Sequence, residues 1–114
     1  MIRIEANVFS DIEIVSKGHA EYNPGGPDIV CAAVSALLGT WRECIAGFEA
    51  KGFVREMEAR ANDGDYRVYC VPCAGCETYV LACLATILTG LALIDASYPE
   101  NVSLKINEGD REKS

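Results

Sequence analysis

Basic residues are scarce in this chain, 10 against 17 acidic ones in 114 residues, which leaves a formal net charge of −7 and a sequence pI near 4.6. That balance argues against a protein that holds nucleic acid or an anionic membrane surface, because both need clustered lysine and arginine. Histidine is scarcer still: His19 is the only one, so any imidazole chemistry runs through that position. Long apolar runs are also few. The uncharged stretch from Thr78 to Ile94 is at the short limit for a membrane span and is interrupted by Thr78, Thr86, Thr89 and Gly90. A buried helix is the expectation there, with no membrane partner. The start, MIRIEANVF, lacks the basic region and apolar core of a secretory signal. Cys31, Cys44, Cys70, Cys73, Cys76 and Cys83 are accordingly expected as thiols in a cytoplasmic protein, not as a disulfide frame.

Half the residues are hydrophobic and 24% are charged, the composition of a folded chain. At this length it is one domain, able to bury roughly 65% of its unfolded surface. Ile2, Ile4 and Ala6 alternate with Arg3, Glu5 and Asn7, the period of a half-buried strand. Ile12 to Val15 completes a hairpin across Ser10-Asp11. Residues 18–27 hold three glycines and two prolines and read as a loop. Asp28 then opens a helix that runs to about Lys51, with Asp28 as N-cap and Gly52 as stop. Val30, Val34, Leu37, Trp41, Cys44, Ile45 and Phe48 are the positions expected to face a sheet.

Phe53 to Ala61 and Tyr66 to Val71 read as strands joined by Asn62-Asp63-Gly64. A second helix spans about Gly75 to Ala96, and Val102 to Ile106 suits a short fifth strand. The fold class is therefore α+β, a two-layer sandwich of order β-β-α-β-β-α with a largely antiparallel sheet and helices on one face. The expected domain covers 1–106, with 107–114 a polar tail. The second helix is apolar nearly all round, more than one small sheet can cover, so a homodimer through helices is expected.

Cys31 stands three residues after Asp28, in the first turn of its helix, where backbone N–H groups and the helix dipole favour a thiolate. A cysteine nucleophile needs a base, and His19 in the preceding glycine-rich loop is the single imidazole on offer. The same helix-start amides are expected to receive the oxyanion. Asp28 suits either an N-cap or a residue that orients His19. Ser35, one turn below Cys31, could hold the thiol or the loop, although a buried serine bonded back to its own helix is the commoner case. Gly25 and Gly26 give the loop freedom to close over a substrate.

Gly18-His19-Ala20, the glycine-rich spacer and the run Asp28 to Ser35 resemble the ribosomal-processing cysteine protease (Prp) family. Leu81 to Leu93 and Tyr98-Pro99-Glu100-Asn101-Val102 are similar to that family's second helix and final segment. The resemblance implies Cys31 as nucleophile, His19 as its base, and Gly18, Asp28 and Ser35 as supporting positions. It implies a small α/β sandwich that pairs as a homodimer. It further implies removal of an N-terminal extension from a ribosomal protein precursor, large-subunit ribosomal protein L twenty-seven, after an aromatic residue, with no cofactor. Cys70-x-x-Cys73-x-x-Cys76 departs from the family pattern; a structural zinc needs a fourth ligand, so no metal is expected. A reading of a different class is an acidic adaptor or ribosome-assembly module that holds a basic protein tail. The placement of Cys31 discriminates against it, because a binding module has no need of a thiol at a helix start beside the one histidine.

Overall fold

A computed structural model describes residues 1–109. The elements run β1 (Ile2–Val8), β2 (Ile12–Lys17), α1 (Ile29–Ala50), β3 (Val54–Asn62), β4 (Asp65–Pro72), α2 (Glu77–Ser97) and β5 (Val102–Glu108). The five strands form one sheet in the order β3-β4-β2-β1-β5, antiparallel at every pairing except the parallel β1–β5 edge. The short fifth strand is real, and it continues through Asn107 and Glu108, past the expected end at Ile106. Asn107 donates its side-chain amide to the Asn7 side chain at 2.9 Å, which ties that last stretch to β1. Of the expected tail, residues 110–114 lie outside the described residues.

Strand alternation sets one apolar face. Ile2, Ile4 and Ala6 of β1, Ile12 and Ile14 of β2, and Tyr66, Val68 and Cys70 of β4 are all buried. Both helices cover that face. Helix α1 lays down Val30, Val34, Leu38, Trp41 and Ile45, and α2 lays down Val80, Leu84, Ile87 and Leu91, each set at intervals of three or four residues. One expectation is corrected here. Leu38, not Leu37, completes the sheet-facing stripe, and Leu37 and Cys44 are only half-buried. At 3.6 residues per turn these two fall to the side of the stripe and meet α2 instead. A Cβ on Gly90 would lie 2.9 Å from Leu37 Cδ1, and Cys44 hydrogen-bonds with Cys83.

Both helices are long and apolar enough to cross a membrane by length and composition, α1 included. The stripes packed on the sheet account for part of that apolarity. Helix α2 leaves a surplus: Tyr79, Leu81 and Leu93 are exposed, as is Ile106 on the neighbouring strand β5.

Candidate active site

The register of β2 against β4 builds one wall of the site. Lys17 pairs with Asp65, so the residues after β2 emerge beside the Asp63-Gly64 turn. The Gly18 N–H continues that ladder by donating to the Gly64 carbonyl at 2.9 Å. Gly18 has φ +95°, and a Cβ there would collide with the Met1 carbonyl oxygen, which explains the glycine physically. His19 follows and lies against the turn, with Nδ1 3.9 Å from the Asp63 carboxylate and its side chain about half exposed. Gly64, at φ +71°, leaves the space the ring occupies: a Cβ there would sit 2.8 Å from His19 Nε2.

The opposite wall is the start of α1. Asp28 Oδ1 accepts the N–H groups of Val30 and Cys31 at 3.0 and 2.9 Å, and Oδ2 accepts that of Tyr22 at 3.2 Å. Asp28 is thus an N-cap that also holds the loop: its carboxylate is hydrogen-bonded to the helix start and Tyr22, not to His19. The Cys31 backbone N–H, helped by those of Tyr22 and Val30, holds its carboxyl below the usual carboxylate range against the opposing loss of hydration.

The capping has a consequence for the expected oxyanion site. The Val30 and Cys31 amides point at Asp28 Oδ1, and the Ala32 N–H donates to the Asp28 carbonyl at 3.1 Å, so these helix-start donors are already engaged. The donor aimed at the Cys31 thiol comes from the loop instead: the Ala20 N–H reaches Cys31 Sγ at 3.3 Å.

Between the two walls lies a cavity of about 330 Å³. His19, Cys31 and Ser35 all line it, and Val34, Leu38 and Tyr66 supply apolar wall. Ser35 is exposed on this wall, not buried against its own helix. The Tyr66 hydroxyl donates to the Leu38 carbonyl at 2.7 Å, and burial pushes that phenol well above its ordinary value, so it stays a neutral, fixed donor. Asp65 on the rim is held as a carboxylate by hydrogen bonds from Arg60 and Lys17. Gly25 and Gly26 belong to the exposed crest of the loop, where a Cβ on Gly25 would meet nothing within 4 Å.

The remaining cysteines take other roles. Cys70 is sealed in the core, where burial pushes its thiol up to about 12, and burial also raises Cys83, followed by its hydrogen bond with Cys44. Cys73 and Cys76 sit at the turn into α2, where the Cys76 N–H donates to the Cys73 carbonyl at 2.9 Å. Among the described residues no three histidine, cysteine or acidic side chains converge as metal ligands.

Two segments that the sequence marks as a turn and as a family-like final stretch, but not as parts of the site, complete the arrangement. The 62–64 turn under His19 carries a local glycine signal, yet nothing local ties it to residue 19. Asn101, whose side-chain amide donates to the Ala20 carbonyl at 2.9 Å, is 81 residues away in the chain, and nothing local ties it to Ala20.

The family model for cysteine protease Prp matches residues 1–103. The ribosomal processing cysteine protease Prp of Staphylococcus aureus is 29% identical over 92 residues, which cover 81% of this chain and 83% of that protein. A crystal structure of the S. aureus protease with a covalently linked product peptide superposes with TM-score 0.73 at 25% identity, over 94% of this chain and all of that one. A second, with a substrate peptide, gives TM-score 0.69 at 24% identity over the same shares and speaks for the fold. Sheet order, helix placement and a family match that stops only eleven residues short of the C-terminus converge. The chain belongs to the Prp family of cysteine proteases.

Proposed function

We propose that this protease is an endopeptidase with a Cys31–His19 dyad that removes an N-terminal extension from large-subunit ribosomal protein L twenty-seven, cutting after an aromatic residue. The observation that carries the reading is the shared cavity: the helix-start thiol and the one imidazole face the same space of about 330 Å³. The S. aureus relative is named for ribosomal processing, and its structures hold substrate and product peptides. An acidic chain of net charge −7 also suits a basic substrate.

In this mechanism the Cys31 thiolate, steadied by the Ala20 N–H beside the sulphur, attacks the scissile carbonyl. His19, protonated when it takes the thiol proton, gives that proton to the leaving amine. Water then hydrolyses the thioester and releases the second product. His19 rests on the 62–64 turn, and in this mechanism its ring turns toward Cys31 when substrate enters, with Gly25 and Gly26 giving the loop crest its freedom. Gly18, Asp28 and Ser35 act in support: Gly18 turns the chain into His19, Asp28 caps the helix and holds Tyr22, and Ser35 lines the cavity below the thiol. Val34, Leu38 and Tyr66 form an apolar wall that suits the ring of an aromatic residue before the cut.

The working form is a cytoplasmic homodimer joined through helices, because the exposed face of α2, with Leu81 and Leu93, is uncharged between Glu77 and Asp95. The reaction is tested by incubating the chain with the extended ribosomal protein and weighing the products. One cut after an aromatic residue, absent with Cys31→Ala, is the expected result; processing at full rate by that variant refutes the nucleophile.

A further inference from the structure

We infer that Asn101 is a positioning residue of the active site: its side-chain amide clamps Ala20 so that the Ala20 N–H stays on the Cys31 sulphur. The inference deepens the reading of Cys31 as nucleophile and rests on it.

The clamp is a continuous set of hydrogen bonds. Asn101 Nδ2 donates to the Ala20 carbonyl at 2.9 Å, and the Ala20 N–H donates to Cys31 Sγ at 3.3 Å. Asn101 is itself rigidly mounted at the corner between α2 and β5. Its N–H donates to the Tyr98 carbonyl at 2.9 Å, and its carbonyl accepts the Ile2 N–H of β1 at 2.8 Å. The backbone and side-chain donors of this asparagine are thus both committed, and its position is inherited from the sheet.

Ala20 cannot respond by rotating. Its methyl group is 1% exposed, packed in the core, so a flip of the backbone would drag that group into water. Directly after it, Glu21 adopts φ +57°, the one positive φ at a non-glycine among the described residues. Such a conformation is strained and persists only where neighbours over-determine it. The same corner supplies a further tie, for Tyr98 meets the Tyr22 ring edge-to-face at 5.4 Å.

The clamp matters because of what flanks it. His19 lies between Gly18, held by the Gly64 carbonyl, and Ala20, held by Asn101. Fixing Ala20 therefore also fixes one end of the segment from which His19 must reach the thiol. With the Val30, Cys31 and Ala32 amides engaged by Asp28, the Ala20 N–H is the loop donor left facing the sulphur. An N–H held on the sulphur before substrate arrives needs no reorganisation when the thiol gives up its proton and the thiolate charge forms.

Asn101→Asp keeps the shape and removes the donor, and Asn101→Ala removes both. Each is expected to lower kcat about ten- to a hundredfold, as loss of catalytic alignment does, with KM within about twofold. A purely structural role moves the melting temperature and leaves kcat of the folded fraction alone; that result overturns the inference. The spectroscopic signature is the Ala20 amide proton. In the wild type it should exchange slowly and shift when Cys31 is replaced by alanine, and in Asn101→Asp it should lose that protection. An Ala20 amide that exchanges as fast as that of exposed Gly25 in the wild type overturns the clamp, even if both Asn101 variants fail to fold. The exchange measurement needs no substrate. A wild type that cuts no peptide but keeps the Ala20–Cys31 coupling removes the proposed reaction and supports the clamp.

Discussion

Helices α1 and α2 are nearly equal in length, 22 and 21 residues, and lie side by side on the same face of the sheet. Their ends and faces differ. The N-terminus of α1 is capped by Asp28, whose carboxylate takes two of the first amides, and Cys31 stands directly inside that cap. Cys76 opens α2 with no side-chain cap. Away from the sheet α1 carries Arg42, Glu43 and Glu49, whereas α2 is uncharged from Thr78 to Ile94 and exposes Leu81 and Leu93. The same secondary structure on the same sheet thus serves two ends. In α1 the distinction lies in the terminus, where a cap fixes Cys31; in α2 it lies in the face, which carries exposed apolar side chains.

The sharpest way to break this contrast is at the α1 site. His19→Ala should lower turnover by roughly a hundred- to ten-thousandfold, the span expected for loss of a general acid–base. Its fold should stay intact, since the ring is about half exposed on the hairpin turn. Initial rates and circular dichroism on the same preparation check both halves of the statement, and an active variant refutes the dyad.

On α2 the corresponding change is Leu81→Asp with Leu93→Asp. Charges placed on that face should convert the proposed homodimer into a particle of 12.3 kDa in sedimentation at micromolar concentration. The same pair of charges should leave the helix packed, because Val80, Leu84, Ile87 and Leu91 are untouched on the buried side. A wild type that already sediments as a monomer contradicts the role given to α2.

Thiol labelling sharpens the comparison more gently. Cys31 lines the cavity, while burial raises the thiols of Cys83 on α2 and Cys70 on β4. With Cys70 pushed up to about 12, its thiolate fraction at pH 7 is on the order of 10⁻⁵. Brief alkylation followed by peptide mapping should therefore mark Cys31 and spare Cys70 and Cys83. Equal labelling of Cys31 and Cys83 would erase the distinction between the helices.

The smallest effect concerns the cap charge. The folded state holds the Asp28 carboxyl below the ordinary value of 3.8, so its charge stabilises the fold above that pH and the benefit fades as pH falls through the folded value. Asp28→Asn keeps a capping oxygen but loses the charge. It should melt a little below the wild type at pH 7, and the gap should close in acid. A gap that stays constant from pH 7 to pH 2 would show that the charge adds nothing.

Much of this organisation is legible along the chain because it is local. The alternation in Ile2, Ile4 and Ala6, the Asp28 cap and the turn at Asp63-Gly64 each depend on residues within a few positions of one another. The position of Cys31 at a helix start follows from the same local signals. Helical periodicity was less exact: it placed Leu37 toward the sheet, when a second helix lay beside the first to receive it.

What the sequence by itself determined is the set of elements, the one-faced sheet and the placement of a thiol at a helix start that follows the chain's single imidazole. Tertiary structure decided which groups surround them. The parallel β1–β5 pairing brings Asn101 to Ala20, and the β2–β4 register brings the 62–64 turn under His19. The Asp28 cap that consumes the helix-start amides is local, but tertiary structure decided that the Ala20 N–H would face the sulphur. Caps and alternation arise from interactions a few residues apart, so composition and spacing record them. A hydrogen bond spanning 81 residues depends on the order in which strands pair, and no local pattern encodes that order.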